Sequence, residues 1–233
     1  MSSEPSTSTT PVNNASPGPA RKPYTGSCHC GAVRYIVYLT LPLQQLNLSD
    51  PPSATDPPQV VYRCNCTTCQ KTGVLHLRLR SAPDDFALLA PLGPLSELAD
   101  YSCFAGDLHW LFCRACGVRC FTFMGRGEIV EGVLPGYNTT PAKHPDREHD
   151  SDVNRGNEGV MKYWHPVKEG WSEKRSAGSY LSVNALTLDA GQPGIDLPGW
   201  TEKKLVMYID CLEAGDGKKG ERTYERPFPG GCY

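Results

Sequence analysis

The sequence predicts a mainly β domain with few short helices and long loop insertions, and three observations predict it. Short runs of β-branched and aromatic residues recur along the chain, bounded by glycine and proline. With 21 prolines and 23 glycines in 233 residues, there is little room for a long helix. Seven of the eleven cysteines fall into three short knots, "GSCHCG", "CNCTTC" and "FCRACG", and such knots tie distant segments together through a metal.

The elements follow in order. Residues 1–25 are rich in Ser, Thr and Pro and nearly free of large apolar side chains, so they bury too little surface to offset ordering entropy and are expected to be a disordered tail. The domain proper is then 26–233. "AVRYIVYL" (32–39) reads as a strand leaving the first knot. Prolines at 42, 51, 52, 57 and 58 mark a loop insertion near 40–60, because they suit neither a helix interior nor a central strand. "VVYRC" leads as a strand into the second knot, and "VLHLRLR" (74–80) alternates at the period of a half-buried strand. Between 82 and 98, Pro83, Pro91, Gly93 and Pro94 allow only short elements. "CFTFM" and "EIVEGVL" again read as strands. Residues 136–179 read as a second long insertion, polar and containing "HPDREHDSD", in which Trp164 and Trp171 are candidates for a lid or an apolar pocket wall. "YLSVNALTL" and "KKLVMYI" close the chain as strands.

A hydrophobic content of 39% suffices for one sizeable core. The formal charge of -2 exerts no broad pull toward nucleic acid or an anionic membrane. No secretory h-region and no run of ~20 apolar residues is present, so the expectation is a soluble, cytoplasmic protein without a membrane partner. Eleven cysteines, an odd number, without an export signal argue against a disulfide framework and toward metal or catalysis.

Zinc prefers four Cys or His ligands in a tetrahedron. Cys28 and Cys30, with Cys113 and Cys116, supply four thiolates from two turns, each followed by a glycine (Gly31, Gly117) that suits a sharp bend. Cys64, Cys66 and Cys69 remain. Three protein ligands with an open fourth position are the arrangement of a catalytic zinc, where a bound thiol would ionise at neutral pH. Arg63, Lys71, Arg114 and Arg119 lie close in sequence to the knots and can offset thiolate charge or hold substrate carboxylates. The alternative that both clusters are purely structural stays open, and isolated Cys103, Cys120, Cys211 and Cys232 read as ordinary buried thiols.

The three motifs "GSCHCGAVRY", "CNCTTCQKTG" and "FCRACG", in this order, resemble the glutathione-dependent formaldehyde-activating enzyme family, which also contains centromere protein V. The likeness covers roughly residues 24–123 and extends more loosely to the C-terminus. It implies a β-tent fold with two Zn2+ sites, a structural one on Cys28, Cys30, Cys113 and Cys116 and a substrate-facing one on Cys64, Cys66 and Cys69. It also implies a carbon–sulfur lyase acting on glutathione or a related thiol conjugate, after a founding reaction that joins formaldehyde and glutathione. Lys71 is then the candidate catalytic residue, stabilising developing negative charge, and His76, His109 and His144 are candidate acids or bases. The tail and the two insertions depart from the compact family pattern and leave substrate identity open. The rival reading is a non-catalytic zinc module binding a protein or nucleic acid. Against nucleic acid stands the lack of a basic cluster beyond "HLRLR" and "EKKL". Methionine sulfoxide reduction, a third reading, lacks a cysteine in an identifiable nucleophile context.

Overall fold

Two sheets are built from strands far apart in sequence. In the computed structural model, which describes residues 20–50, 57–103, 105–137, 159–212 and 220–231, the first sheet runs in the order β1 (Arg21–Ser27), β2 (Arg34–Thr40), β5 (Phe86–Ala90), β10 (Val160–Pro166) and β9 (Gly127–Val133). The second runs β13 (Arg222–Thr223), β12 (Val206–Ile209), β3 (Val60–Cys64), β4 (His76–Arg78), β11 (Tyr180–Asn184), β8 (Arg119–Met124), β7 (Leu108–Phe112) and β6 (Ala99–Cys103). Within it, β12 and β3 pair in parallel, with Ile209 beside Cys64.

Helices are short: α1 (Thr67–Thr72), α2 (Ala82–Asp85), α3 (Pro94–Glu97) and α4 (Leu197–Glu202). Gly73, at φ 64°, ends α1 in the left-handed conformation that glycine adopts without strain. None of the described helices is long and apolar enough to cross a membrane.

Strand alternation sorts side chains to the two faces of the larger sheet. Val61, Leu77, Phe121, Phe123, Leu181, Val183 and Val206 point into the main core shared with the smaller sheet. There Phe86 meets Phe121 at 5.1 Å between ring centres, and Phe123 meets Trp164 edge-on at 5.0 Å. The opposite face carries a smaller cluster that includes Cys64, Cys69, Trp110, Met124 and Tyr180.

Three boundaries differ from the sequence expectation. Strand β1 begins at Arg21, inside the stretch 1–25 expected to be a tail. Its polar residues are ordered by the ladder with β2, and Arg21 lies 4.0 Å over the Tyr38 ring and pairs with Asp85 at 2.6 Å. Within the stretch 136–179 expected to be a loop, β10 pairs with both β9 and β5. Its Trp164 is buried at 5% exposure between Phe86 and Phe123, so this tryptophan is a core anchor and not a lid. "HPDREHDSD", with His144, and residues 51–56 of the first insertion lie outside the described residues. In "VLHLRLR" the ladder takes only His76–Arg78.

Candidate metal centre

Cys28 and Cys30 occupy the turn from β1 to β2, and Cys113 and Cys116 the turn from β7 to β8. Both turns close in the same way. The Cys28 N–H donates to the Val33 carbonyl at 3.0 Å and Gly31 N–H to the Cys28 carbonyl at 3.1 Å. The Cys113 N–H donates to Val118 at 3.0 Å and Gly117 N–H to Cys113 at 2.9 Å. Gly31 and Gly117, at φ 78° and 73°, take the positive φ that each bend requires.

All four sulfurs lie within 4.8 Å of one another. Cys28 and Cys30 are 3.6 Å apart and Cys30 and Cys113 3.5 Å, close to the ~3.8 Å edge of a tetrahedron with metal–sulfur bonds of ~2.3 Å. The Val33 N–H points at the Cys28 sulfur from 3.2 Å, the kind of contact that supports a ligating thiolate. Burial, and then the neighbouring thiols, push Cys28 up to about 12. Against its partial burial, Cys116 is held down to about 6 by the backbone at Cys30 and Val118 and by the Cys113 and Cys30 thiols. Four packed thiols cannot all ionise against one another without a cation, and a divalent metal supplies it.

Cys64, Cys66 and Cys69 also lie within 4.8 Å of one another. Cys64 ends β3, and Cys66 is the N-cap of α1, its sulfur accepting from the Cys69 N–H at 3.5 Å. Cys64 and Cys66 sulfurs are 3.3 Å apart. Hydrogen bonds from the Cys64 and Cys69 thiols, against some burial, hold Cys66 far below the usual thiol range. Cys64 is pushed far up by its contacts with Cys211, Cys66 and Cys69 and by burial. The three closely packed sulfurs are a donor set that fits a thiophilic divalent ion.

His76 is packed against this trio. Its Nε2 lies 3.1 Å from the Cys69 sulfur and its Nδ1 2.7 Å from Ser182 Oγ. The ring stacks on Tyr62 at 4.7 Å and meets Trp110 edge-on. Burial lowers its pKa to about 4, partly opposed by the Cys66 charge, so the imidazole is neutral at neutral pH. A neutral ring that spans a ligand sulfur and a serine orients the sulfur.

Beside the trio, on the same face of the sheet, is a cavity of about 760 Å³ whose lining includes Leu46, Tyr62, Arg78, Ile209 and Arg222. Tyr62 and Ile209 also pack on the Cys64 and Cys69 cluster. Arg78 is held by Glu173 at 3.2 Å and lies 4.2 Å over the Tyr180 ring. Among the described residues, the buried Nε atoms of Arg78 and Arg222 have no hydrogen-bond partner. The cavity combines apolar side chains with charges of both signs, Arg78, Arg222 and Lys174 with Asp50 and Glu173, and so suits a ligand with an apolar body and both carboxylate and ammonium groups.

The seven knot cysteines are thus assembled in the two groups that their spacing predicts. Lys71 is exposed in the last turn of α1. His109 pairs with Asp100 at 2.6 Å, partly exposed, while Arg114 donates to the carbonyls of Ser96 and Leu98 and Arg119 lies among the rings of Tyr101, Trp110 and Phe112. Cys120 is buried in the core as expected, and Cys232 lies outside the described residues. Cys211, expected to be an ordinary buried thiol, is exposed and touches Cys64. Arg78 and Arg222 were not singled out from sequence, although alternation in "HLRLR" puts Arg78 on the His76 face. Nothing in the sequence marks Arg222 or Cys211.

The fold and these clusters define a mainly β protein with two cysteine groups that can hold metal ions. No family model matches the chain. A crystal structure of a Rhodobacter sphaeroides protein is similar at 18% identity, covering 72% of this chain and 91% of that one with a TM-score of 0.32.

Proposed function

We propose that the protein is a zinc-dependent carbon–sulfur lyase or thiol-adduct enzyme acting on glutathione or a related thiol conjugate. The observation that carries this reading is the three-cysteine group beside a cavity furnished with two arginines. Cys64, Cys66 and Cys69 would hold the catalytic zinc and Cys28, Cys30, Cys113 and Cys116 the structural one. Zinc on the trio supplies a charge that keeps a substrate thiol ionised at neutral pH.

The protein's own groups supply the rest. His76 holds Cys69 in place as a neutral partner. Arg78 and Arg222, which line the cavity, are the groups that would bind a substrate carboxylate. In the addition direction the substrate sulfur, present as thiolate, forms a bond to a carbonyl carbon. The carbonyl π pair moves to oxygen, which takes up a proton, and Lys71 is the nearest candidate in sequence to stabilise that oxygen. Elimination runs the same steps in reverse.

Zinc content per chain, measured for the wild type and Cys66→Ala with and without glutathione, tests the reading, together with adduct formation from glutathione and aldehydes. The expected result is two zincs falling to one in a folded variant that forms no adduct. One zinc in both proteins would replace the lyase by a structural module binding another macromolecule.

A further inference from the structure

Two cysteines outside the sequence knots lie near the second cluster: Cys103 packs against its apolar side chains, and Cys211 lies against Cys64 itself. Cys211 follows β12, whose parallel register with β3 sets Ile209 beside Cys64. Asn65, between the ligand candidates Cys64 and Cys66 and only 3% exposed, reaches across to the same segment. Its Oδ1 accepts from the Cys211 N–H at 2.6 Å and the Leu212 N–H at 3.1 Å. Its Nδ2 donates to Asp210 Oδ1 at 2.8 Å and to the Pro229 carbonyl at 3.2 Å. One buried side chain therefore clamps the Cys211 backbone to the loop that carries the trio, and the Cys211 thiol lies next to Cys64, outside the group that the sulfurs of Cys64, Cys66 and Cys69 form within 4.8 Å, so a side-chain rotation brings it in. The contact is at the edge of the trio, and the Cys211 side is open to solvent.

We infer that Cys211 is the fourth sulfur ligand of the metal held by Cys64, Cys66 and Cys69, and that it is the ligand an incoming thiol displaces. This rests on the reading of the trio as a zinc site. A tetrahedral zinc takes four donors, and the clamp keeps a fourth sulfur at hand at a high effective concentration. The other three ligands are anchored in β3 and α1 with Cys64 and Cys69 buried, whereas Cys211 is exposed and is free to swing away at little packing cost. With a metal bound, Cys211 would accept the proton of the incoming thiol as it leaves, so that one sulfur donor would replace another with no change of oxidation state. The resting protein is thereby closed to water and to weak ligands, and opens to a thiol that the cavity also binds.

The test uses the full chain and its Cys211→Ser and Cys211→Ala variants, with folding checked by circular dichroism. Each is loaded with Co2+ for thiolate-to-metal charge-transfer absorption and with Zn2+ for affinity against a competing chelator, and glutathione is then titrated in. The expected result is two metals in every protein, with charge-transfer absorption reduced in the variants and the weaker Zn2+ site loosened by about tenfold or more. The half-saturating glutathione concentration should fall by about tenfold, because the internal competitor is gone. Unchanged absorption and affinity in both variants would overturn the assignment while leaving the three-cysteine zinc reading intact. A wild-type chain isolated with a Cys64–Cys211 disulfide, two hydrogens lighter, would also overturn it. A wild type that binds a single metal with both thiols free would sink the zinc reading of the trio itself, and the assignment with it.

Discussion

His76 is 3% exposed, and its ring is fixed by Cys69, Ser182 and Tyr62. Burial depresses its folded-state pKa from 6.5 to about 4. The unfolded chain therefore takes up this proton first as pH falls. The neutral ring's contribution is fully present above pH 6.5 and is lost on acidification, approaching about 3 kcal/mol near pH 4. Urea unfolding of metal-free wild type and His76→Gln across this range isolates the effect: the wild type should lose the larger amount by that margin. Equal slopes would mean that the ring charges freely in the fold. From sequence, His76 was one of three undistinguished candidate acids or bases. Only the packing of β4 beneath Trp110 and beside Tyr62 makes it a buried neutral partner of a ligand candidate.

At the scale of the element, β10 shows how polar composition can conceal a strand. Its sequence "VMKYWHP" mixes large apolar with polar residues: Trp164 points into the main core, while Met161 and Tyr163, on the other face, pack against the cluster of Ile36, Tyr38, Ala87 and Leu134. The long polar run before it led the whole of 136–179 to be read as one loop. Trp164→Ala should cost about 3–5 kcal/mol, the range for truncating a buried large aromatic, measured as a lower denaturation midpoint. A loss under about 1 kcal/mol would mean a surface role instead. The same indole covers Gly127 of β9, where an added Cβ would come within 1.9 Å of the ring, so Gly127→Ala should destabilise through the same contact. Strands such as "CFTFM" and "VVYRC" were legible because their β-branched and aromatic residues stand between clear turn signals. β6, "ADYSC", was not, since exposed polar residues give it no contrast with a loop.

Across the whole molecule the two cysteine groups sit in different places. Cys28 and Cys113 belong to the main core between the sheets, and their group joins the β1–β2 turn to the β7–β8 turn. The trio has its own small cluster on the outer face of the larger sheet. Cys113→Ser should therefore lower the thermal midpoint by at least about 5 °C, while Cys66→Ser should shift it far less and abolish adduct formation. Equal shifts would contradict this division of roles. Chelation of the loaded wild type should follow the same order, with the trio emptied before any loss of near-ultraviolet circular dichroism.

The sequence by itself determined the mainly β character and both cysteine groups, because short spacing and glycine-closed turns are local properties that survive without tertiary context. It also determined which ligands come from one turn. Tertiary structure alone decided what stands around them: Cys211 beside Cys64, the Asn65 clamp, the neutral His76 and the paired arginines of the cavity. Those neighbours come from β3, β4, β12 and β13, brought together by sheet register, and register depends on the packing of all the strands at once.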